Sequence, residues 1–207
     1  MTETRSTASK LPLVLIIGIT LAVLASGFLL FPDSDEERDR LLSRLGTNNR
    51  GTLLDPIIAM EELSFTDQEN EPWLWQDQPA KWRLVLPVAG YCDETCRDFL
   101  YISRQVHVRL DKKTQRVRRV LLNLGEPFGD EMQLFLKTEH PYLTVIRGDA
   151  EQFTAFIAPT NSQWSPSALR LYVVDQQGVA MMFYTPEQEG SDLLLDLKHL
   201  IKYSPEL

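Results

Sequence analysis

Cysteine is nearly absent from this chain: Cys92 and Cys96 are the only two among 207 residues. A pair four positions apart is no disulfide framework, and a chain of this length builds a hydrophobic core without staples or structural metal. Histidine is scarce too, limited to His107, His140 and His199, so a metal site would have few nitrogen ligands to draw on. Positive charge is in deficit, with 21 Lys and Arg against 29 Asp and Glu and a net charge of -8. That balance excludes the broad basic surface that nucleic acid or an anionic lipid layer attracts. No internal repeat is present, so one unrepeated domain is expected.

Long apolar runs are also few, and one stands out. Leu11 to Phe31 carries no charged residue and has the length that spans a hydrocarbon core as a helix. Arg5 and Lys10 precede it, and Asp33, Asp35, Glu36 and Glu37 follow. The positive-inside bias then puts residues 1–10 in the cytoplasm and everything after the span in the periplasm of a bacterial inner membrane, or an equivalent compartment. A cleaved signal peptide is the rival, with Val23-Leu24-Ala25 as a loose cleavage site. The apolar run continues beyond that site to Phe31, which favours a retained anchor, and membrane lipid is then the partner of this helix.

Residues 32–80 read as a tether and extended lead-in. Glu36-Glu37-Arg38-Asp39-Arg40 suits a solvated stalk, Gly51 and Pro56 break the apolar stretch at 49–56, and residues 64–80 are irregular, with Trp73 and Trp75 as packing anchors. Regular patterning begins at Lys81. Trp82 to Val88 predicts a strand that ends at Ala89-Gly90, just before the cysteines. Phe99, Ile102, Val106 and Leu110 then recur on one helical face. A strand over 117–124, a short helix over 131–138, a strand over 142–146 and a helix starting at the N-cap Asp149 follow. Leu169 to Val174 and Val179 to Tyr184 flank the turn Asp175-Gln176-Gln177-Gly178 as a hairpin. Ser191 is expected to cap a last helix reaching Tyr203. Alternating elements with a hairpin and a closing helix describe an α/β mixed sheet with flanking helices over residues 81–207, and thioredoxin is the best-known small domain with a thiol pair after its first core strand.

Cysteines at i and i+4 at a helix start bring two sulfurs together near the positive end of the helix dipole, which favours thiolate. Such a pair can exchange disulfides, bind a cuprous ion as soft ligands, or remain an inert local disulfide. Closing so short a loop contributes little entropy, which weakens a purely stabilising purpose. Two sulfurs make a weak copper site alone. Of the three histidines, only His140, before Pro141 at a strand entrance, has a loop position able to face the cysteines.

The apolar anchor, Gly-Tyr-Cys-x-x-x-Cys after a strand, and Leu-Tyr-Val-Val-Asp-Gln-Gln-Gly-Val followed by Asp192-Leu193-Leu194-Leu195-Asp196-Leu197 resemble the Sco/SenC family over Trp82 to the C-terminus. Those are membrane-anchored proteins of thioredoxin fold that deliver copper or manage thiols during cytochrome c oxidase assembly. The whole chain, including Asn49 to Pro56, is similar to transmembrane proteins of proteobacteria that accompany oxidase assembly genes. The resemblance implies a thioredoxin-like mixed sheet with flanking helices plus one N-terminal transmembrane helix. It also implies thiol–disulfide exchange, with Cys92 attacking, Cys96 resolving, and Pro166 in the place of the proline that positions a substrate backbone opposite the cysteines. Two departures stand out: Arg97 follows the second cysteine where the family has proline, and Ser167 falls where the family has its copper-binding histidine. The alternatives are a copper carrier, holding Cu(I) with Cys92, Cys96 and His140, and a non-catalytic assembly scaffold. Cytochrome c oxidase subunits or copper chaperones are the implied partners.

Overall fold

The computed structural model describes residues 11–30 and 49–205, in two units that divide after Asn48. The first holds helix α1 (Leu11–Leu30), whose side chains are described from Pro12 to Ser26 and are exposed. Counted over the described residues, no helix is long and apolar enough to cross a membrane. The expected cytoplasmic segment 1–10, the end of the span at Phe31 and the stalk 36–40 lie outside the described residues.

The second unit is built on one eight-stranded sheet. In chain order its elements are β1 (Thr52–Ala59), β2 (Phe65–Thr66), β3 (Pro72–Trp73), β4 (Trp82–Val88), α2 (Glu94–Val108), β5 (Val117–Asn123), α3 (Asp130–Glu139), β6 (Leu143–Arg147), α4 (Ala150–Ile157), β7 (Leu171–Val174), β8 (Val179–Tyr184) and α5 (Gly190–Tyr203). The strand order is β1-β8-β7-β4-β5-β6-β2-β3. β4, β5 and β6 run parallel, while β7, β8 and β1 are antiparallel neighbours on the other side of β4.

β4 is buried along its whole length because both sheet faces are covered. Trp82, Leu84, Leu86 and Val88 join Phe99 and Leu100 of α2, Met132 and Leu136 of α3, and Leu193 and Leu197 of α5 on one face. Val85 points the other way, into a second core with Phe153 and Ile157 of α4 and with Trp73 and Trp75. The strand's alternation therefore sorts side chains between two cores instead of between core and water.

Residues 49–80 correct the expected lead-in. They supply three strands of the sheet, and Leu54, Ile58, Met60, Phe65, Trp73 and Trp75 are buried in the second core. Arg83, buried, stacks over Trp75 at 4.7 Å and donates to the carbonyls of Lys81 and Pro79, tying this region to β4. Where the segment enters the domain, the buried Asp196 of α5 accepts from the backbone N–H groups of Arg50 (2.8 Å) and Gly51 (2.9 Å) and from the Tyr184 hydroxyl. Burial, then the Asp196 bond, holds the Tyr184 phenol far above its ordinary range. A Cβ on Gly51 would lie 2.6 Å from the Tyr184 ring, so only glycine fits there.

The remaining boundaries match within a residue or two. Asp149 caps α4 through the Gln152 N–H (2.7 Å), as expected. Ser191 does not cap α5: the N-cap is Glu189, without a side-chain capping bond, and the Ser191 hydroxyl donates instead to the Glu189 carboxylate (3.0 Å).

Candidate thiol–disulfide site

The site is built where β4 gives way to α2. Gly90 adopts φ +80° to turn the chain, and a Cβ there would meet the Glu126 nitrogen at 2.8 Å. Gly125 lets the neighbouring loop lie against Ala89 and Gly90 in return. The buried Asn123 holds that second loop, accepting from the Gly125 N–H (3.0 Å) and donating to the Glu126 carbonyl (2.8 Å). Packed glycines and a bonded Asn thus fix the position from which the cysteines emerge.

Cys92 and Cys96 are joined as a disulfide with a Cα–Cα distance of 5.1 Å. Asp93, between them, is the N-cap of α2; its carboxylate accepts from the Cys96 N–H at 2.9 Å. The bridge therefore sits on the open N-terminal turn, where unpaired N–H groups favour negative charge on sulfur once it is reduced. Both cysteines are buried, Cys92 at 8% exposure and Cys96 at 1%. Arg97 reaches back, its Nε 3.4 Å from the Cys92 carbonyl, with its guanidinium over Phe135 at 4.8 Å and paired to Glu131 at 3.1 Å.

A cavity of about 440 Å³ opens beside the bridge, bordered by Cys96, Tyr91 and Asp93 on one side and by Pro166, Ser167 and Arg170 on the other. Pro166 occupies the corner of a tight turn closed by the Ala168 N–H on the Ser165 carbonyl (2.9 Å). The structure thus brings Cys96 to one opening with Pro166 and Ser167, which lie 70 and 71 positions further along the chain.

His140 is elsewhere. It follows α3 and precedes β6, at the N-terminal end of the parallel strands, whereas the cysteines follow the C-terminal end of β4. A strand length, on the order of 15–20 Å, separates the two ends of such a sheet. His140 is also engaged, its Nδ1 accepting from Arg119 Nη2 at 3.1 Å. His107 Nε2 lies 3.1 Å from the carbonyls of both Thr114 and Val117, and His199 packs on Tyr203. Among the described residues no group of three His, Cys, Asp or Glu side chains is arranged to hold a metal ion.

The family profile described as transmembrane-like, thioredoxin-like, C-terminal domain matches residues 82–204. The chain belongs to this family. Solved structures add the Sco-like form of the thioredoxin fold that the thiol motif and hairpin led us to expect. Yeast Sco1 with copper bound is 12% identical with a TM-score of 0.56, covering 77% of this chain and 97% of its own. Apo Sco1 from Thermus thermophilus is 19% identical at 0.56, covering 75% and 99%. BsSco, described as a Sco-family member with a disulfide switch, is 11% identical at 0.53, covering 77% and 99%. Identities this low establish the fold alone. No curated protein matches the sequence.

In this thioredoxin-like family member the donor set offered to copper is two sulfurs, with the Ser167 hydroxyl across the cavity where the resemblance places a histidine. A hydroxyl is a hard, weak ligand for a cuprous ion, so the cavity does not reproduce a copper-binding triad. Sequence reasoning missed the capping role of Asp93 and the cavity positions of Tyr91, Arg170 and Glu187. The cap was readable from Asp three residues before the bonded Cys96 N–H; the others depend on how loops 89–93, 166–170 and 186–187 converge, which no local pattern encodes.

Proposed function

We propose that this chain is a membrane-anchored periplasmic thiol–disulfide exchange protein that assists cytochrome c oxidase assembly. The observation that carries the reading is the Cys92–Cys96 bridge at the start of α2, whose Cys96 borders an open cavity lined on its other side by Pro166. The anchor rests on the charge-free run from Leu11 to Phe31 and its flanking charges. The oxidase connection rests on the Sco-like fold and on the assembly role stated for BsSco.

In the reducing direction, the dithiol form acts. The Cys92 thiolate attacks one sulfur of a partner disulfide, the partner S–S bond breaks, and the leaving thiolate takes up a proton. Cys96, deprotonated in turn, attacks the Cys92 sulfur, re-forming the intrachain bridge and releasing the partner as a dithiol carrying two electrons. The partner is a disulfide-bearing polypeptide such as an oxidase copper site or a copper chaperone, and a second dithiol protein restores the reduced pair. Cys92 is the attacking residue because it is the more exposed of the two. Pro166, across the cavity, positions the partner backbone.

The test is reduction of an insulin or peptide disulfide: Cys92→Ser should abolish exchange while leaving thermal stability within a few degrees of the parent. Full activity in Cys92→Ser would refute the assignment. A second reading, cuprous cargo held by Cys92 and Cys96 with a ligand supplied by the recipient, is favoured by the copper-bound state of yeast Sco1 on the same fold. Titration of the reduced protein with Cu(I), counting free thiols, separates the two: tight one-to-one binding that protects both thiols supports cargo, and thiols that cycle to disulfide without binding support exchange.

A further inference from the structure

A second cavity, of about 520 Å³, runs along α3, and its His140 end lies at the edge of the sheet remote from the cysteines. Phe128, Leu136, Leu143 and Val145 line its length, with Lys137 and His140 toward one end and Asp130 toward the other. Asp130 and His140 are ten positions apart, about 15 Å along a helix at 1.5 Å per residue, so the carboxylate and the basic pair do not share one end.

His140 supplies the informative geometry. It is 3% exposed, and its Nδ1 is 3.1 Å from Arg119 Nη2. A guanidinium only donates, so Nδ1 accepts and the proton sits on Nε2. Nε2 makes no hydrogen bond among the described residues, and His140 is one of the residues that line this cavity. Behind it, the buried Arg119 donates to Ser103 Oγ (3.1 Å) and the Leu100 carbonyl (3.2 Å) and contacts no carboxylate among the described residues. The nearby Arg104 has the same sign and is itself paired with Glu139 at 3.5 Å. A guanidinium buried without a counter-ion is costly, and it polarises the imidazole so that Nε2–H becomes a stronger donor.

We propose that this cavity binds a carboxylate-headed apolar ligand, its head on His140 Nε2–H and Lys137 and its body along Leu136, Leu143 and Val145. The volume lies within the range of small-molecule sites, and Gln68 and Gln133 add polar groups to its apolar wall. Burial, then Arg119, pushes the imidazole down to about 4, so at neutral pH the donor is an uncharged N–H and Lys137 supplies the charge.

The test uses the full chain in nanodiscs, with histidine labelled for NMR, empty nanodiscs as the blank and phenylacetate as the probe. Saturable movement of the His140 ring resonances is expected, with those of His107 and His199 unmoved and 2-phenylethanol, the neutral analogue, without effect at the same concentrations. Lys137→Met, at an exposed position, should weaken binding about three- to tenfold, the loss of one charge-assisted contact. No saturable movement, an equal response to 2-phenylethanol, or unchanged affinity in Lys137→Met would each overturn the proposal.

Discussion

A reduced Cys92 would lie between two sources of positive potential: the N-terminal turn of α2 and the Arg97 guanidinium on its own carbonyl. Ser167 faces the same opening without adding a metal-binding atom of comparable softness. The exchange of one side chain should therefore shift the balance between thiol and copper chemistry. Ser167→His places an imidazole across the cavity from the bridge, and Cu(I) affinity of the reduced protein should rise at least tenfold, measured by competition with a chromogenic cuprous chelator; an unchanged affinity would mean that position 167 does not reach the sulfurs. A second residue-level effect concerns acid. His140 is pushed down to about 4 by burial and Arg119, and His107 is lowered from 6.5 by burial. His140 stays neutral in the fold down to about 4 and takes up a proton on unfolding below about 6.5, so stability rises with pH from about 4 to 6.5 and is lost as pH falls through that window, and His107 contributes in the same direction. The thermal midpoint should drop by roughly 3–6 °C across it, and His140→Gln, which keeps an acceptor for Arg119, should flatten part of the slope. An equal slope in that variant would show that His140 does not titrate there. The cysteines, Pro166 and Ser167 could be placed from sequence because each is tied to the end of a strand or hairpin. His140 could not, since a position before a strand does not say which end of the sheet that strand begins from.

At the scale of elements, the first turn of α2 depends on the Asp93 cap, while Phe99, Leu100 and Val106 pack the rest of the helix. The capping bond to Cys96 N–H fixes the turn on which the bridge sits, and replacing an N-cap Asp with Ala costs about 1 kcal/mol. Asp93→Ala should lower the thermal midpoint by roughly 2–4 °C in both redox states, read by calorimetry with and without reductant; a loss confined to the reduced form would show that the bridge, not the cap, holds the turn. The strands from β4 to β8 and the closing helix were legible because their apolar residues recur with a period and turn residues separate them. Residues 49–80 were not. β1 buries only Leu54 and Ile58 among its large side chains, carries Pro56, and slips register between Leu53 and Ile58. Asn161 occupies its outer edge, donating to the Leu53 carbonyl at 2.9 Å and accepting from the Asp55 N–H at 3.1 Å. A strand paired on one side and met by a single residue, Asn161, on the other lacks the alternation by which strands are recognised. β2 and β3 have two residues each, too short for any period.

For the whole molecule, function depends on which compartment receives the bridge. A disulfide across so short a loop persists where the medium is oxidising and is used for exchange only if a dedicated reductant reaches it. On the proposed reading, the charges flanking the apolar run, Arg5 and Lys10 before it and four acidic residues from Asp33 to Glu37 after it, put residues 32–207 outside. Deleting 1–31 would test retention and export together and could not separate them, since an unexported domain loses its partners whatever its chemistry. Orientation is better read on the intact chain. Alkaline phosphatase, which matures only where disulfides form, should be active when fused after Leu207, and green fluorescent protein at the same junction should stay dark under Sec-dependent export. Reversing the flanking charges, with Arg5 and Lys10 changed to Glu and Asp33, Asp35, Glu36 and Glu37 to Lys, should exchange the two signals if charge bias sets the topology. A bright fluorescent fusion on the native chain would place Cys92 and Cys96 in the reducing cytoplasm, and the periplasmic exchange role would then fail however well the isolated dithiol reduced insulin.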